Sequence, residues 1–358
     1  MNILVIDWLD VYAGSEKVAE YLDQIYQFDK VYTLVNNMPD EYLNKIFNNR
    51  KVEIKTSFLQ VFGKHFRTGL PFFPFALKQI EIKEKNALII SISHSVVKGV
   101  KFHKSSTHIS YLVARNLKYV WEEKELYFTG NKKIFSFIIP YLQKFDIKKS
   151  KKATHLISVS NFVSNWVETK YNRKVKTINP PVNIEDFEFN EEKDDFYVSV
   201  GRLEPYKRYD VLIDAFNKNG KELIIIGDGS LLEELKQKAN KNIKFKGYLF
   251  AEKSKEYLKK AKAFVFCGKE DFGIALLEPQ VCGTPVITYK AGGALDSVID
   301  NKTGVFYDKQ TEGSLNEAIT RFEKMDFNPK EIRNHSLGFS INQFKENFDA
   351  FVKENTKG

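Results

Sequence analysis

The chain alternates short apolar stretches with amphipathic ones along nearly its whole length. The apolar stretches are bounded by polar or turn residues, which is typical of parallel strands buried on both faces. Between them, apolar residues recur with the period of a helix, as in residues 15–26 and 161–171. Strands are predicted in the first half at residues 3–6, 30–34, 87–91, 108–112 and 155–158. This alternation predicts an α/β protein with parallel sheets.

The pattern is interrupted at Pro180-Pro181, after a strand predicted at 175–178. Paired prolines cannot continue a hydrogen-bonded ladder, and an acidic loop follows over residues 185–195. A second series of strands is predicted at 196–200, 223–226, 243–246, 263–267, 285–288 and 303–307. We therefore expect two doubly wound domains and a C-terminal helix with phenylalanines on one face. These segments are residues 1–180, 181–335 and 336–358, the helix carrying Phe344, Phe348 and Phe351.

Length and composition agree with a two-domain globular protein. The chain has 358 residues, of which 43% are hydrophobic and 28% charged. It has no apolar run of the roughly 20 residues that a spanning helix needs, and residues 1–7 do not resemble a signal peptide. Cys267 and Cys282 lie in apolar surroundings. Their context favours a reduced, cytoplasmic protein without disulfides or a cysteine metal site.

Basic charge is concentrated in one part of the first domain. Residues 51–178 contain 24 Lys and Arg against 8 Asp and Glu, and the whole chain has a net charge of +9. No nucleic-acid-binding motif accompanies this excess. Because the basic residues alternate with phenylalanines, they favour contact with an anionic membrane surface. The alternative is an ordinary helical hairpin whose aromatic residues all lie in the core. The interleaved residues are Phe58, Phe62, Phe66, Phe72, Phe73 and Phe75 with Lys64, Arg67 and Lys78.

Two carboxylates mark the end of one strand in the second domain. Glu270 follows the strand at 263–267, and Glu278 lies eight residues further on, on the helix that begins after Gly273. In an open parallel sheet the carboxyl ends of the strands form the ligand-binding edge. The helix start also offers N–H groups to an anion. This pairing predicts a ligand that is both hydroxylated and phosphorylated, such as a nucleotide sugar.

Two cations lie at the end of a neighbouring strand. Arg202 and Lys207 belong to the loop that Gly201 opens after the strand at 196–200. A forked guanidinium and a compact ammonium on one loop suit a diphosphate. We therefore expect both cations at the same edge of the sheet as the carboxylates.

The Glu270-x7-Glu278 segment resembles the signature of retaining glycosyltransferases of family four. Gly201-Arg202-Leu203 with Lys207 resembles the phosphate-binding element of that family. The resemblance implies the GT-B fold, in which two Rossmann-like domains face a cleft and the last helix crosses back to the first domain. It implies a nucleotide-sugar donor, with both cations on its diphosphate, Glu278 on the ribose and Glu270 near the transferred sugar. It also implies that no metal ion or other cofactor is needed.

Further positions are carried over from the same family. Tyr248 matches the nucleobase-binding segment, and His94 matches a histidine that contacts the donor sugar. The first helix opens with Ala13-Gly14 where the family has two glycines. The donor-binding set is Gly14, Ser15, Gly201, Arg202, Lys207, Gly227, Tyr248, Glu270, Phe272, Gly273, Ile274, Leu277 and Glu278, and the catalytic set is His94, Arg202, Lys207 and Glu270.

The first domain narrows the resemblance to the mannosyltransferases of bacterial O-antigen and capsule assembly. Residues 71–82, 93–99 and 121–123 carry this similarity. It implies transfer of a hexose, with mannose from GDP-mannose favoured, to a polyprenyl-linked or other membrane-borne glycan at the inner face of the cell membrane. One departure is Ala114-Arg115-Asn116, which replaces a His-Thr-Pro triplet in a loop expected to face the acceptor.

Two alternative functions remain open. A GT-B sugar-nucleotide epimerase or hydrolase would need additional acids and histidines, and the chain has six histidines. A sugar-nucleotide-binding subunit without catalysis is the other alternative. The intact cations and carboxylates of the second domain argue against such a loss.

Overall fold

In the computed structural model, which describes residues 1–124 and 136–356, the chain divides into two compact units. Unit 1 consists of Met1–Asn179 together with Phe344–Gly358, and unit 2 is Pro180–Gln343. The chain thus enters unit 2 at the first of the paired prolines and returns to unit 1 within its last helix.

Unit 1 is built on a sheet of seven parallel strands. Its strands are β1 (Asn2–Ile6), β2 (Lys30–Thr33), β3 (Glu53–Lys55), β5 (Leu88–Ser93), β7 (Thr107–Leu112), β8 (His155–Ser158) and β9 (Lys176–Thr177), while β4 (Glu81–Ile82) and β6 (Lys101–Phe102) pair separately. The order β3-β2-β1-β5-β7-β8-β9 reverses between β1 and β5. The loops after these two strands therefore meet at the switch point where doubly wound sheets bind ligands.

The helices of unit 1 place apolar faces in the core. In the first of them Val18, Ala19 and Leu22 are buried, as the helical spacing predicts. Ser160 caps the fifth by accepting the N–H of Val163 at 3.1 Å. Over residues 1–124 and 136–179 they are α1 (Gly14–Tyr26), α2 (Asp40–Ile46), α3 (Phe73–Gln79), α4 (Ile139–Ser150) and α5 (Asn161–Tyr171).

The aromatic segment before α3 consists of 3-10 turns over Phe58–Phe72, broken at Gly63, whose φ is 50°. Its aromatic residues divide between core and surface. Phe66 and Phe73 are buried, whereas Phe62, Phe72 and Phe75 are 41%, 50% and 52% exposed. The alternative in which all these aromatic residues belong to the core is therefore wrong.

Unit 2 contains a six-stranded parallel sheet. Its strands are β10 (Asp194–Val200), β11 (Leu223–Ile226), β12 (Ile243–Phe245), β13 (Ala261–Phe266), β14 (Val286–Tyr289) and β15 (Gly304–Tyr307), in the order β12-β11-β10-β13-β14-β15. Its helices are α6 (Tyr209–Asn219), α7 (Leu232–Lys238), α8 (Ala251–Lys260), α9 (Leu277–Val281), α10 (Ala294–Ser297), α11 (Glu312–Phe322) and α12 (Pro329–Leu337). The order reverses between β10 and β13, so their carboxyl ends form the switch point of this sheet.

The last helix, α13 (Ile341–Thr356), packs on unit 1 through its aromatic face. The side chains of Phe344 and Phe348 are buried. Their ring centroids lie 5.9 and 5.8 Å from the ring centroid of Tyr111. Phe348 also lies 6.3 Å from the ring of Tyr26. Aromatic contacts between residues more than 200 positions apart thus fasten the end of the chain to the first sheet.

Candidate functional site

The loops at the carboxyl edge of the unit 2 sheet are joined by backbone hydrogen bonds. After β10 the N–H of Gly201 donates to the carbonyl of Ile226 at 3.0 Å, and after β14 the N–H of Gly293 donates to the carbonyl of Glu270 at 2.9 Å. A side chain at Gly227 would place its Cβ 1.9 Å from the Gly201 carbonyl oxygen. Gly201 and Gly227, both predicted site residues, thus shape the edge through their backbone.

Lys207 and Glu270 come together at this edge. The Nζ of Lys207 donates to Oε1 of Glu270 at 2.5 Å, and the two side chains are 15% and 25% exposed. The ammonium also lies 5.1 Å from the ring centroid of Phe266. An ammonium carries three N–H donors, so this pair can still present donors to an anionic ligand. The sequence assigned the two residues separate contacts and did not indicate the bond between them.

Arg202, the second predicted cation, is exposed on the same loop. Its Nη2 donates to the hydroxyl of Tyr206 at 2.8 Å. The two cations predicted to hold a diphosphate therefore both belong to the loop between β10 and α6, one tied to a carboxylate and the other to a phenol.

The predicted helix start lies directly beyond Glu270. Gly273 has a φ of 89°, and a 3-10 turn at Ile274–Leu276 leads into α9. Glu278 on α9 is partly exposed. The side chains of Phe272 and Leu277 are 4% and 0% exposed, so these two predicted donor contacts can be made only through backbone groups.

Tyr248 projects from the loop after β12. It is 73% exposed, as is Phe250, and the two ring centroids are 6.1 Å apart. A projecting aromatic face can stack on a planar ligand group. The nucleobase contact that the family resemblance implies for Tyr248 stays a prediction.

In unit 1, Asp7 at the end of β1 holds the loop that follows β5. Its fully buried carboxylate accepts four backbone N–H groups, those of His94, Ser95, Val96 and Val97, at 2.7–3.1 Å. Four such bonds stabilise a charged, buried carboxylate and fix the loop. The sequence analysis missed this role; its signal is the acid that ends the apolar run of β1.

His94, a predicted catalytic residue, lies at the edge of that loop. Its side chain is 19% exposed, and its ring meets the Trp8 ring edge-on at 4.0 Å between centroids. Burial lowers the pKa of His94 below its usual value. The imidazole is therefore neutral near pH 7 and can exchange hydrogen bonds with a hydroxyl without adding charge.

Gly14 and Ser15 begin α1, where the sequence predicts contact with a diphosphate. Two hydrogen-bond donors at this helix start are bonded to the carboxylate of Glu16. The Oγ of Ser15 donates to Glu16 Oε2 at 2.8 Å, and the N–H of Ala13 donates to the same oxygen at 3.1 Å. Burial raises the pKa of Glu16. A donor phosphate at this helix start would have to share these groups with Glu16.

A buried ion pair lies behind the His94 loop. Lys98 and Asp146 are both fully buried, and Nζ of Lys98 lies 2.5 Å from Oδ1 of Asp146. Asp146 Oδ2 accepts the indole N–H of Trp121 at 2.9 Å and the hydroxyl of Tyr171 at 2.7 Å. Lys98 also donates to the carbonyl of Ser95 at 2.7 Å. The pair thereby joins the His94 loop to the loop of Trp121.

The loop expected to face the acceptor turns its polar side chains inward. Arg115 is 5% exposed and pairs with Glu123 at 2.9 Å, while Asn116 is fully buried and donates to Ser93 Oγ at 2.6 Å. These two side chains hold the loop together. That the loop faces the acceptor stays a prediction.

Residues 182–336, nearly all of unit 2, match the family described as glycosyl transferases group 1. An uncharacterised glycosyltransferase of Methanocaldococcus jannaschii is 28% identical over 213 residues, which is 58% of each chain. The O-antigen chain mannosyltransferase of Salmonella typhimurium is 27% identical over 236 residues, 61% of this chain and 65% of that protein. The matches thus span somewhat less than two thirds of these relatives, and the resemblance to family-four glycosyltransferases is confirmed.

Solved structures share the fold over almost the whole chain. The lipopolysaccharide outer core galactosyltransferase in its apo form has a TM-score of 0.69 at 16% identity, covering 99% of this chain and all of that chain. Sucrose-phosphate synthase of Thermosynechococcus elongatus has a TM-score of 0.70 at 17% identity, covering 99% and 98%. At such identities the similarity shows the fold alone. The predicted GT-B fold is confirmed.

Residues 1–124 and 136–356 contain neither a membrane-spanning helix nor a metal-binding cluster of side chains. No helix there is both long and apolar enough to cross a membrane. Nor do these residues form a group of three or more His, Cys, Asp and Glu suited to a metal ion. Independence of metal stays a prediction.

Proposed function

We propose that this chain is a retaining glycosyltransferase that moves a hexose, mannose from GDP-mannose, to a lipid-linked or membrane-borne glycan in surface polysaccharide assembly. The observation that carries the proposal is the group of Arg202, Lys207 and Glu270 at the carboxyl edge of a group 1 glycosyltransferase sheet. Relatives named as GDP-mannose-dependent and O-antigen mannosyltransferases support the choice of sugar.

In this proposal the main task of unit 2 is to stabilise a leaving nucleoside diphosphate. As the bond between sugar and phosphate breaks, negative charge grows on the phosphate oxygens. The Lys207 ammonium and the Arg202 guanidinium face that charge with five or more N–H donors, as preorganised cations do in electrostatic catalysis. Glu278 accepts the ribose hydroxyls, and Tyr248 offers its face to the base.

His94 of unit 1 contributes a neutral imidazole in this proposal. Because its pKa is lowered, the ring binds a sugar hydroxyl without competing with the cations for the diphosphate. Retention follows from the family resemblance, in which the leaving phosphate helps to deprotonate the acceptor on the face it leaves.

The test is transfer of labelled sugar from a panel of GDP- and UDP-sugars to lipid extracted from bacterial membranes. We expect incorporation from GDP-mannose, and at least a tenfold loss in Lys207→Ala and Arg202→Ala, since each removes a charge-assisted bond worth about 1.5–3 kcal/mol. Lys218→Ala is the matched control, because Lys218 pairs with Glu312 at 3.0 Å on the exposed side of α6.

The same assay separates the alternatives. Free sugar or an epimerised nucleotide sugar without lipid labelling would indicate the hydrolase or epimerase. Binding of GDP without any turnover would indicate the subunit without catalysis. Incorporation from a UDP-sugar alone would refute GDP-mannose as the donor while leaving sugar transfer intact.

We also propose that unit 1 binds an anionic membrane surface through its aromatic segment. The support is the exposure of Val61, Phe62, Phe72 and Phe75, at 90%, 41%, 50% and 52%, beside exposed Lys64 and Lys78. Apolar side chains inserted among headgroups and lysines near anionic lipid act together in such binding.

Liposome sedimentation tests this surface. Binding should increase with the anionic lipid fraction and decrease with salt, because the Debye length shrinks from about 10 Å at 0.1 M to about 3 Å at 1 M. Phe72→Ser with Phe75→Ser should weaken it, whereas Phe250→Ser, which changes a more exposed phenylalanine of unit 2, should not. Equal sedimentation with neutral and anionic vesicles would refute the membrane proposal.

A further inference from the structure

Tyr206 lies between the two cations of the unit 2 site. Its hydroxyl accepts the N–H of Arg202 Nη2 at 2.8 Å. Its ring centroid is 5.4 Å from Nζ of Lys207 and 6.0 Å from Cζ of Arg202. A single side chain therefore contacts both groups that the proposed function directs to the diphosphate.

The backbone of Tyr206 is held firmly enough for its side chain to serve as an anchor. Tyr206 is the middle residue of the 3-10 turn Pro205–Lys207, which the N–H of Lys207 closes by donating to the carbonyl of Glu204 at 2.9 Å. Glu204 in turn accepts the hydroxyl of Ser230 at 2.8 Å, which ties the turn to the loop after β11. Tyr206 itself is half-buried.

Two neighbouring cations repel each other before a ligand arrives, and each long side chain has many rotamers. A negative ring face attracts both cations, and a phenol oxygen fixes the direction of the guanidinium. Lys207 has Glu270 as a second anchor, 2.5 Å away. Arg202 is exposed, so its orientation depends more strongly on Tyr206. Fixing these side chains in advance lowers the entropy lost when the ligand binds.

We infer that Tyr206 is a positioning residue that holds Arg202 and Lys207 in the orientation that receives a nucleoside diphosphate. This inference rests on the proposed function, because it takes the diphosphate as the ligand of both cations. Tyr206 acts through the cations and has no part in bond breaking.

The experiment is calorimetric titration of GDP, and in parallel UDP, into the full chain and its variants. Tyr206→Phe keeps the ring but removes the acceptor for Arg202, and it should weaken affinity about three- to tenfold. Arg202→Ala should weaken it about ten- to a hundredfold. The double variant should bind as Arg202→Ala does, because the hydroxyl acts through that guanidinium. If Tyr206→Phe acted only by disturbing the fold, it would still weaken the affinity for GDP when Arg202 is absent.

The control is Tyr197→Phe, which removes a tyrosine hydroxyl bound to Glu323 at 2.9 Å in the middle of β10, outside the loop that carries the two cations. It should leave affinity unchanged. Unchanged affinity in Tyr206→Phe, or losses that multiply in the double variant, would overturn the positioning role while the diphosphate site stands. If Arg202→Ala and Lys207→Ala bind both nucleotides as the unchanged chain does, the diphosphate assignment and the role of Tyr206 are both wrong.

Discussion

Replacing Lys98 with methionine should destabilise unit 1 severely. The substitution keeps an unbranched side chain of similar length but removes the charge that faces Asp146 at 2.5 Å. Asp146 would retain two neutral donors, from Trp121 and Tyr171, yet would become a fully buried carboxylate without a counter-charge. The carbonyl of Ser95 would lose a donor as well.

The magnitude follows from this burial. Removing one partner of a buried ion pair costs about 3–5 kcal/mol, because the remaining charge stays desolvated. With a urea dependence of about 1–3 kcal/mol per M, the midpoint of unfolding should fall by at least about 1 M.

Tryptophan fluorescence reports this loss selectively. The chain has three tryptophans, and Trp8, Trp121 and Trp166 all belong to unit 1. The control is Lys101→Met, since Lys101 pairs with Glu81 on the surface, with side chains 71% and 39% exposed. That variant should unfold as the unchanged chain does. A midpoint shift in Lys98→Met no larger than in Lys101→Met would refute the reasoning about the buried pair.

Three further outcomes are expected. Sugar transfer should survive excess EDTA, because Arg202 and Lys207 neutralise the diphosphate; loss restored only by a divalent ion would contradict this. Glu278→Gln should weaken GDP about tenfold but leave 2′,3′-dideoxy-GDP unchanged, as measured by calorimetry; equal losses would exclude the ribose contact. Burial lowers the pKa of His108 to about 3. In the unfolded chain this histidine has a pKa near 6.5, so it binds a proton there first as the pH falls. The free energy of unfolding should therefore keep its full value above about pH 6.5. It should fall by about 2 kcal/mol by pH 5, as seen in urea midpoints.

The strands of unit 2 could be predicted from sequence because they are buried on both faces. β11 coincides with the predicted residues 223–226, and β10, β13, β14 and β15 differ by one or two residues at their ends. By contrast, β3 at Glu53–Lys55 lies at the edge of its sheet with two exposed residues, so it carries no continuous apolar signal. The 3-10 turns of Phe58–Phe72 were not predicted either, because they have no period that a pattern of hydrophobic residues could reveal.

The sequence indicated individual candidate residues of the site, but the bonds between them could not be predicted. Spacing and residue type were sufficient to select Arg202, Lys207 and Glu270. The ion pair joins residues 63 positions apart and depends on two loops meeting at one sheet edge. The same holds for Lys98 and Asp146, which are 48 positions apart. Partners at such separations are fixed by tertiary structure, and a single sequence carries no direct signal of them.

The return of the chain to unit 1 has a consequence for its synthesis. The surface of Tyr26 and Tyr111 that receives Phe344 and Phe348 is made early, but its cover is made only after the whole of unit 2, Pro180–Gln343. At about 5–20 residues per second, that interval lasts roughly 10–30 s. The core of unit 2 is built from residues of unit 2 alone, whereas unit 1 has an apolar surface uncovered until Phe344 and Phe348 are made. Unit 2, although it is translated second, can therefore finish folding before unit 1. Unit 1 is the part whose uncovered apolar surface a chaperone would bind.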